Sequence, residues 1–234
     1  MRDGGCAMKI GIIGAGNVGG TLTRRLRALG HDVYVANSRG PQTLRDLERE
    51  TGAKAVTVQE AARSGEIVIV AIPEGAVPRL PKGLFDGVPQ DVPVVDTGNY
   101  YPSRDGEIPE IEQGMPESVW VSRMLGRPVV KAFNTIPARS LATKGKPRGA
   151  PGRVAIPVAG DDPQAKKKVM ALIDELGFDP LDAGSLADSW RQQPGTPVYV
   201  QDYDAEHARE ALARATPERR PEFSARGEGA GLSP

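Results

Sequence analysis

The sequence has one cysteine, Cys6, among its 234 residues, and only 5% of the chain is aromatic. A single cysteine can neither close an internal disulfide nor anchor a multi-cysteine metal site. The isolated carboxylates at Asp96, Asp105 and Glu107 have no spacing typical of metal ligands, and no zinc or nucleophile motif occurs. We therefore predict no bound metal.

Net charge and long apolar runs are also missing. The 30 basic side chains are balanced by 30 acidic ones, whereas a nucleic-acid surface needs a basic excess to release counterions. No apolar run reaches the roughly 18 residues of a membrane helix, and the opening MRDGGCAM lacks the apolar core of a secretory signal. These absences predict a cytoplasmic protein with no nucleic-acid or membrane partner.

Short apolar runs alternate with helical periodicity along the chain, which is typical of βαβ units and a parallel sheet. The third strand is expected around Val56 and Val58, and Thr57 with Glu60 has the pattern of a capping box. Pro163 is expected at the start of a helix. The other predicted strands are Lys9–Ile13, Asp32–Ala36, Ile67–Ile72, Val92–Val95, Val129–Phe133, Val154–Val158 and Pro180–Leu181, and the other predicted helices are Val18–Leu29, Thr43–Glu50 and Ala205–Ala215.

The Lys/Gly/Pro-rich stretch Lys144–Gly152 is the best candidate for a domain boundary. We predict a flexible extension at residues 1–7, a nucleotide-binding domain at 8–145 and a smaller C-terminal α/β lobe at 146–215 that closes over it. Residues 216–234 are rich in Pro, Gly, Glu and Arg with little apolar content, which predicts a disordered tail.

Gly14, Gly16 and Gly19 form the pattern G-x-G-x-x-G in the segment GIIGAGNVGG. The pattern follows a predicted strand and opens a predicted helix, which is the context of a dinucleotide-binding turn and not of an ordinary glycine loop. Gly14 permits the tight turn, Gly16 lets the backbone approach a pyrophosphate, and Gly19 lets helix and strand pack closely. The sequence therefore predicts a Rossmann-type, doubly wound, mostly parallel sheet.

The end of the second strand bears on the choice of cofactor. NAD-binding proteins of this type usually carry Asp or Glu there to hold the ribose 2′-hydroxyl, but the stretch Val35-Ala36-Asn37-Ser38-Arg39 has no acid. Arg39 can bind a 2′-phosphate while Asn37 and Ser38 donate hydrogen bonds. We predict NADP(H), the alternative being that Arg39 is a solvated loop residue.

Few residues are suited to acid–base chemistry. The two histidines, His31 and His207, are expected at the surface. A dehydrogenase of alcohols needs a group that moves the hydroxyl proton, whereas hydride transfer between two cofactors needs mainly alignment of the rings. The sequence favours the second type, with Lys131, Tyr100 or Tyr101 left open as a proton-transferring group.

Four segments resemble the NADPH-dependent reductases of the deazaflavin coenzyme F420 and the reductase domain of the six-transmembrane metalloreductases. These segments are KIGIIGAGNVGG, NSR, VVKAFNTIPARSLA and VAGDDPQAKKKVMALIDELGFDPLDAGSL. The resemblance implies a homodimer that binds NADP(H) and transfers hydride to the deazaflavin or a flavin. The cofactor-binding residues that follow are Gly14, Ala15, Gly16, Asn17, Val18, Gly19, Asn37, Ser38, Arg39, Ala71, Ile72, Pro73, Phe133, Asn134, Thr135, Ile136, Pro137 and Ala138.

Asn134 and Thr135 would orient the two rings, with no side chain taking a proton in the central step. The chain departs from the deazaflavin-reducing members at Asn134, where they tend to carry His, and in the stretch DTGNYYPSRDG. Two alternatives follow from these departures. The first is an NADP-dependent dehydrogenase or reductase of a small organic substrate bound near Asn99–Tyr101, and the second is a non-enzymatic NADP(H)-binding module.

Overall fold

A computed structural model of the chain describes residues 7–218 and 221–225. The strands are β1 (Lys9–Ile13), β2 (Asp32–Ala36), β3 (Lys54–Ala55), β4 (Ile67–Val70), β5 (Val94–Asp96), β6 (Val130–Lys131), β7 (Ala155–Val158) and β8 (Asp179–Asp182). The α-helices are α1 (Asn17–Leu29), α2 (Arg45–Thr51), α3 (Val58–Ser64), α4 (Pro102–Asp105), α5 (Pro109–Glu112), α6 (Glu117–Leu125), α7 (Ala138–Thr143), α8 (Pro163–Glu175) and α9 (Ala205–Ala213). Shorter 3₁₀ segments lie at Pro41–Leu44, Glu74–Arg79, Leu186–Gln192 and Pro221–Phe223.

Six strands form a wholly parallel sheet in the order β3-β2-β1-β4-β5-β6. Strand β4 has the sequence IVIV and is buried at every position, as expected for a strand covered by helices on both faces. The strand order reverses between β1 and β4, and ligands of such sheets bind at that point, beyond the carboxyl ends of the strands. The predicted Rossmann-type fold is confirmed.

Local signals placed the strands to within a few residues, gave no prediction for the helices α4 to α7, and made one clear error. The third strand is Lys54–Ala55, and Val58 is instead the first residue of α3. The cause is the capping box, because the Thr57 hydroxyl accepts from the Glu60 N–H and starts the helix at once. Leu22 and Leu26 of α1 are buried, whereas Leu29 at the end of the helix is 40% exposed.

The C-terminal part is tied closely to the first sheet. Strands β7 and β8 pair in parallel, and Lys131 and Ala159 exchange two backbone hydrogen bonds of 2.8 and 3.0 Å. Helix α8 begins at Pro163, as predicted, under a side-chain cap from Asp162, and its Leu172 and Ile173 join the core of the first sheet. One apolar core therefore runs across the predicted boundary.

The two chain ends are described only in part. The predicted extension lies outside the described residues except for Ala7, and so do 219–220 and 226–234 of the predicted tail. Residues 221–225 fall within the predicted tail and contact the rest of the chain. The Phe223 ring lies 6.1 Å from that of Tyr101 and 6.3 Å from that of Tyr199, and Ser224 donates to Glu112 at 2.7 Å. The single aromatic residue of the segment supplies the apolar contact.

Candidate functional site

The glycine turn joins β1 to α1 at the reversal of strand order. Gly14 has a φ of +110°, and a Cβ there would lie 2.1 Å from the Ala71 carbonyl oxygen. A Cβ at Gly19 would lie 1.9 Å from the Gly14 carbonyl oxygen. The Gly14 N–H donates to the Ala36 carbonyl at 2.8 Å. Two of the three glycines are therefore required by the packing of the turn against β2 and β4.

Gly16 differs from the other two. Its backbone is extended, with a φ of −76°, and an added Cβ would meet no described protein atom within 4 Å. Gly16 precedes the first turn of α1, which is fully described and holds no acidic side chain and no side-chain cap. The N–H groups of that turn thus point outward with a partial positive charge. The turn fits a pyrophosphate, whose approach a side chain at Gly16 would block.

The loop after β2 presents a free guanidinium next to the turn. The exposed side chain of Arg39 makes no hydrogen bond or ion pair to any described residue. The Asn37 side chain shapes the loop, because its Oδ1 accepts from the Arg39 N–H at 3.0 Å and its Nδ2 donates to Thr43 at 2.9 Å. Arg39 and the exposed Ser38 are therefore able to contact a 2′-phosphate, and Asn37 Nδ2, which donates one of its two hydrogens to Thr43, keeps the other.

The segment after β4 forms the other wall of the turn. Ala71 donates to the Ile13 carbonyl at 2.7 Å, and its own carbonyl packs against Gly14. Ala71 and Ile72 are half-buried and Pro73 is exposed. The structure thus brings the residues predicted after β1, β2 and β4 together at the carboxyl edge of the sheet.

The turn after β6 lies at the same edge and carries backbone strain. Phe133 is buried and has a φ of +65°, an uncommon conformation for a residue other than glycine. The next residue, Asn134, is 4% exposed and makes three side-chain hydrogen bonds, two of them to Gln192. Thr135 is also buried. Asn134 therefore fastens this turn to the C-terminal part, and a role in aligning a ring would act through the position of the turn.

A buried cluster of four charged side chains lies beneath these loops. No sequence pattern predicted that these side chains come together. Lys131, Asp96, Glu74 and Glu117 are each at most 2% exposed. Lys131 Nζ donates to Asp96 Oδ2 at 3.1 Å and to the Gly98 carbonyl at 2.6 Å. Asp96 is thus not isolated. The sequence signal that could have revealed this pair is that Asp96 ends one apolar strand, β5, and Lys131 ends the neighbouring strand, β6.

The surroundings of Lys131, Tyr100 and Tyr101 bear on whether any of them can transfer a proton. Lys131 is wholly buried and ion-paired, and the buried Tyr100 hydroxyl accepts from the Ile108 N–H at 3.1 Å. Tyr101 is half-buried, and its hydroxyl contacts that of Tyr199. Burial raises the pKa of Tyr101 to about 12, so its phenol stays protonated at neutral pH.

One of the two histidine predictions was wrong. His207 is exposed on α9, where its contact with Asp204 raises its pKa. His31 is 1% exposed, accepts from the Met8 N–H at 3.2 Å and lies 3.2 Å from a Glu175 oxygen on α8. The contact with Glu175 of α8, which is distant in sequence, could not be seen in the local sequence.

The described residues contain neither a metal-binding cluster nor a membrane-spanning helix. Within residues 7–218 and 221–225, no group of three His, Cys, Asp or Glu side chains is arranged to hold a metal ion. No described helix has both the length and the apolar content needed to span a membrane.

The parallel sheet and the glycine turn at its switch point define a Rossmann-type dinucleotide-binding protein. Comparison with known proteins narrows the similarity. Residues 9–100 match the model of the family "NADP oxidoreductase coenzyme F420-dependent", so the first part of the chain is similar to that family.

Individual relatives extend the likeness beyond residue 100. A hypothetical protein of Sinorhizobium meliloti, SMa0349, has a structure with a TM-score of 0.70 and 31% identity over 84% of this chain and 95% of that one. The structure of a candidate F420-dependent NADP reductase from Arthrobacter sp. FB24 has a TM-score of 0.62, covers 77% of this chain and 86% of that one, and at 24% identity shows the shared fold.

Among curated proteins, rat metalloreductase STEAP3 is 31% identical over 182 residues, which make up 77% of this chain and 35% of that protein. An Escherichia coli protein, YjhV, is 52% identical over 59 residues, which make up 25% of this chain and 43% of that protein. The chain thus spans less than half the length of these curated relatives.

Proposed function

We propose that the protein is an NADPH-dependent oxidoreductase that passes hydride to a planar deazaflavin or flavin acceptor. The observation that carries this proposal is the state of the side chains at the carboxyl edge of the sheet. Lys131 and Tyr100 are sealed in buried contacts, and burial keeps Tyr101 protonated. A dehydrogenase that oxidises alcohols would need one of these groups to accept the hydroxyl proton, and a half-buried phenol with a raised pKa is a poor proton acceptor.

Hydride transfer between two rings needs alignment more than acid–base groups. NADPH, when bound, supplies the hydride. The N–H groups at the start of α1 would hold its pyrophosphate, and Ala71 and Ile72 would flank the nucleotide. The rigid turn at Phe133–Thr135 would fix the position of the ring site, because small misplacement of the reacting carbons is costly in rate.

The preference for NADPH over NADH rests on Arg39. Its guanidinium is exposed and unpaired among the described residues, and the loop around it has no carboxylate to repel a 2′-phosphate. Arg39→Ala should weaken NADPH binding by about 1.5–3 kcal/mol, or roughly 10–150-fold, with little change for NADH. Isothermal titration of both nucleotides measures this.

Arg63→Ala is the matched control for Arg39→Ala. Arg63 is also exposed, but it lies in the last turn of α3, before β4 begins and so at the opposite edge of the sheet. It should leave both affinities unchanged. Equal affinity of the wild-type protein for NADH and NADPH, or an unchanged ratio in Arg39→Ala, would show that Arg39 does not select the cofactor.

The acceptor is tested by spectroscopic turnover of NADPH with a deazaflavin, a flavin, a ferric chelate and small carbonyl compounds. We expect reduction of a ring acceptor that falls with Arg39→Ala at subsaturating NADPH. Reduction of a small carbonyl compound alone, abolished by Tyr101→Phe, would instead assign the protein as a small-substrate reductase. NADPH binding without reduction of any acceptor would favour a binding module.

A further inference from the structure

The buried charged cluster holds Gly98 and Tyr100, the residues on either side of Asn99 in the loop after β5. Gly98 donates its N–H to Asp96 Oδ1 at 2.8 Å, and its carbonyl accepts from Lys131. Asn99 exchanges two 3.0 Å hydrogen bonds with Asn134, and the Tyr100 N–H donates to Glu117 at 3.2 Å. The cluster therefore fixes the loop, and Asn99 carries that position to the turn after β6.

Glu74 is the one member of the cluster that makes no such contact. It is wholly buried, and neither carboxylate oxygen has a hydrogen-bond partner in the part of the chain that the structure describes. Its Oε1 lies 4.0 Å from Lys131 Nζ and packs so closely on Gly98 that an added Cβ there would lie 2.4 Å away. Any change at Glu74 is thus felt directly by the loop.

The charges around Glu74 come from every element that packs on it. Asp96 lies at the end of β5, Glu117 on α6 and Asp105 on α4. Lys131 on β6 is the nearest cation. Asp105 is already paired with Arg104 at 2.8 Å, and Lys131 is paired with Asp96. A negative Glu74 would therefore add a buried charge without a cation of its own, which is costly.

We propose that Glu74 is a positioning residue that keeps its proton at neutral pH, and that its ionisation at higher pH releases the Gly98–Tyr100 loop from the Asn134 turn. Burial, followed by the nearby Asp96, raises the pKa of the Glu74 carboxyl well above its ordinary value, in agreement with the geometry. A negative Glu74 would compete with Asp96 for Lys131, which is the donor to the Gly98 carbonyl. The inference rests on the proposed function only in taking the Asn134 turn to face the acceptor.

The first test needs no assay of activity. Hydrogen exchange of the Gly98 and Tyr100 amides, followed by NMR over a pH series and corrected for intrinsic exchange, should show protection falling about tenfold as Glu74 ionises, within the usual range for coupled sites. The ¹³C resonance of the Glu74 carboxyl should titrate over the same pH range. Glu74→Gln, which stays neutral at every pH, should keep full protection throughout.

Glu107→Gln is the control, because Glu107 is an exposed carboxylate in the same region. It should follow the wild-type pH course. A Glu74 resonance that titrates near its ordinary pKa of 4.5, or a protection curve for Glu74→Gln that matches the wild type, would overturn the inference. The resonance decides the question even if the variant fails to fold.

Unfolding gives a third readout with a defined sign. A carboxyl whose pKa is raised in the folded state holds a proton that the unfolded chain releases, so stability falls as pH rises from 4.5 to the folded pKa. Glu74→Gln should remove that slope and melt above the wild type at alkaline pH. A variant that melts below the wild type across the whole range would contradict a neutral Glu74.

Turnover separates this inference from the proposed function. If a ring acceptor is reduced, kcat of the wild type should fall at alkaline pH while its NADPH affinity changes little, and Glu74→Gln should lose the fall in kcat. If no acceptor is reduced, the proposed function fails, but exchange and the carboxyl resonance still decide the role of Glu74. If Glu74→Gln retains the alkaline fall in kcat, the proposed role of Glu74 is contradicted.

Discussion

The glycine turn and the Gly98–Tyr100 loop lie at the same edge of one parallel sheet, but different parts of the chain determine their shapes. The turn is fixed by backbone contacts, since a Cβ at Gly14 or Gly19 would lie within 2.1 Å of a carbonyl oxygen. The loop is fixed by buried side chains from four separate elements. A short motif can therefore encode the first region, while the second exists only after the whole sheet has assembled.

Substitutions at two neighbouring glycines give the largest effect that would test this difference. Gly14→Ala should cost roughly 4 kcal/mol or more of unfolding free energy, because it meets both a positive φ and the Ala71 carbonyl. Gly16→Ala should change stability by no more than about 0.5 kcal/mol, since no described atom lies within 4 Å of its Cβ. Chemical denaturation measures both values.

Gly16 should reveal its role in binding alone. A larger change, Gly16→Val, should leave the protein folded and abolish NADPH binding, because the side chain occupies the place of the pyrophosphate. Normal NADPH affinity in a folded Gly16→Val protein would show that the turn does not bind the dinucleotide in this way. Loss of folding in Gly16→Ala would show that packing, and not ligand approach, requires this glycine.

The features predicted correctly from the sequence share the short range of the glycine turn. The capping box of Thr57 and Glu60, the start of α8 at Pro163 and the order of βαβ units all depend on residues within a few positions or on local periodicity. Strand bounds shifted by a few residues where a cap overrode apolar pattern, as at Val58.

The features that were missed depend on contacts between distant positions. The buried His31 contacts Glu175 of α8, and Asp96 pairs with a lysine 35 residues along the chain. Asn134 stood out in the sequence only as a departure from related proteins, whereas its partners Asn99 and Gln192 lie 35 and 58 residues away. No local pattern contains these pairings, because they arise when β5, β6 and the C-terminal part meet.

Two asparagines offer the next largest test, one in each region. Asn134→Ala should cost about 2–3 kcal/mol, because it strands a buried donor on Gln192 and a partly buried acceptor on Asn99. Asn37→Ala also loses three hydrogen bonds, but water can replace them at its exposed loop, and the cost should be below about 1 kcal/mol. Equal losses of stability would remove the distinction between the regions.

The smallest expected effect lies within the buried cluster itself. The wholly buried Ser118 hydroxyl donates to Asp96 Oδ2 at 2.7 Å, but Asp96 keeps its contacts with Lys131 and the Gly98 N–H when that hydroxyl is lost. Because those contacts remain, Ser118→Ala should cost about 1–2 kcal/mol, below most of the roughly 1.5–3 kcal/mol of a hydrogen bond to a charged group. Ser122→Ala is the control on the same helix, since the Ser122 hydroxyl donates to the Arg127 carbonyl at 2.9 Å, away from the cluster.

Hydrogen exchange at Gly98 should rise in Ser118→Ala and stay unchanged in Ser122→Ala. An unchanged Gly98 amide in both variants would mean that Lys131 alone holds the loop, whereas a rise in both would mean that α6 supports it by packing and not through the Asp96 charge.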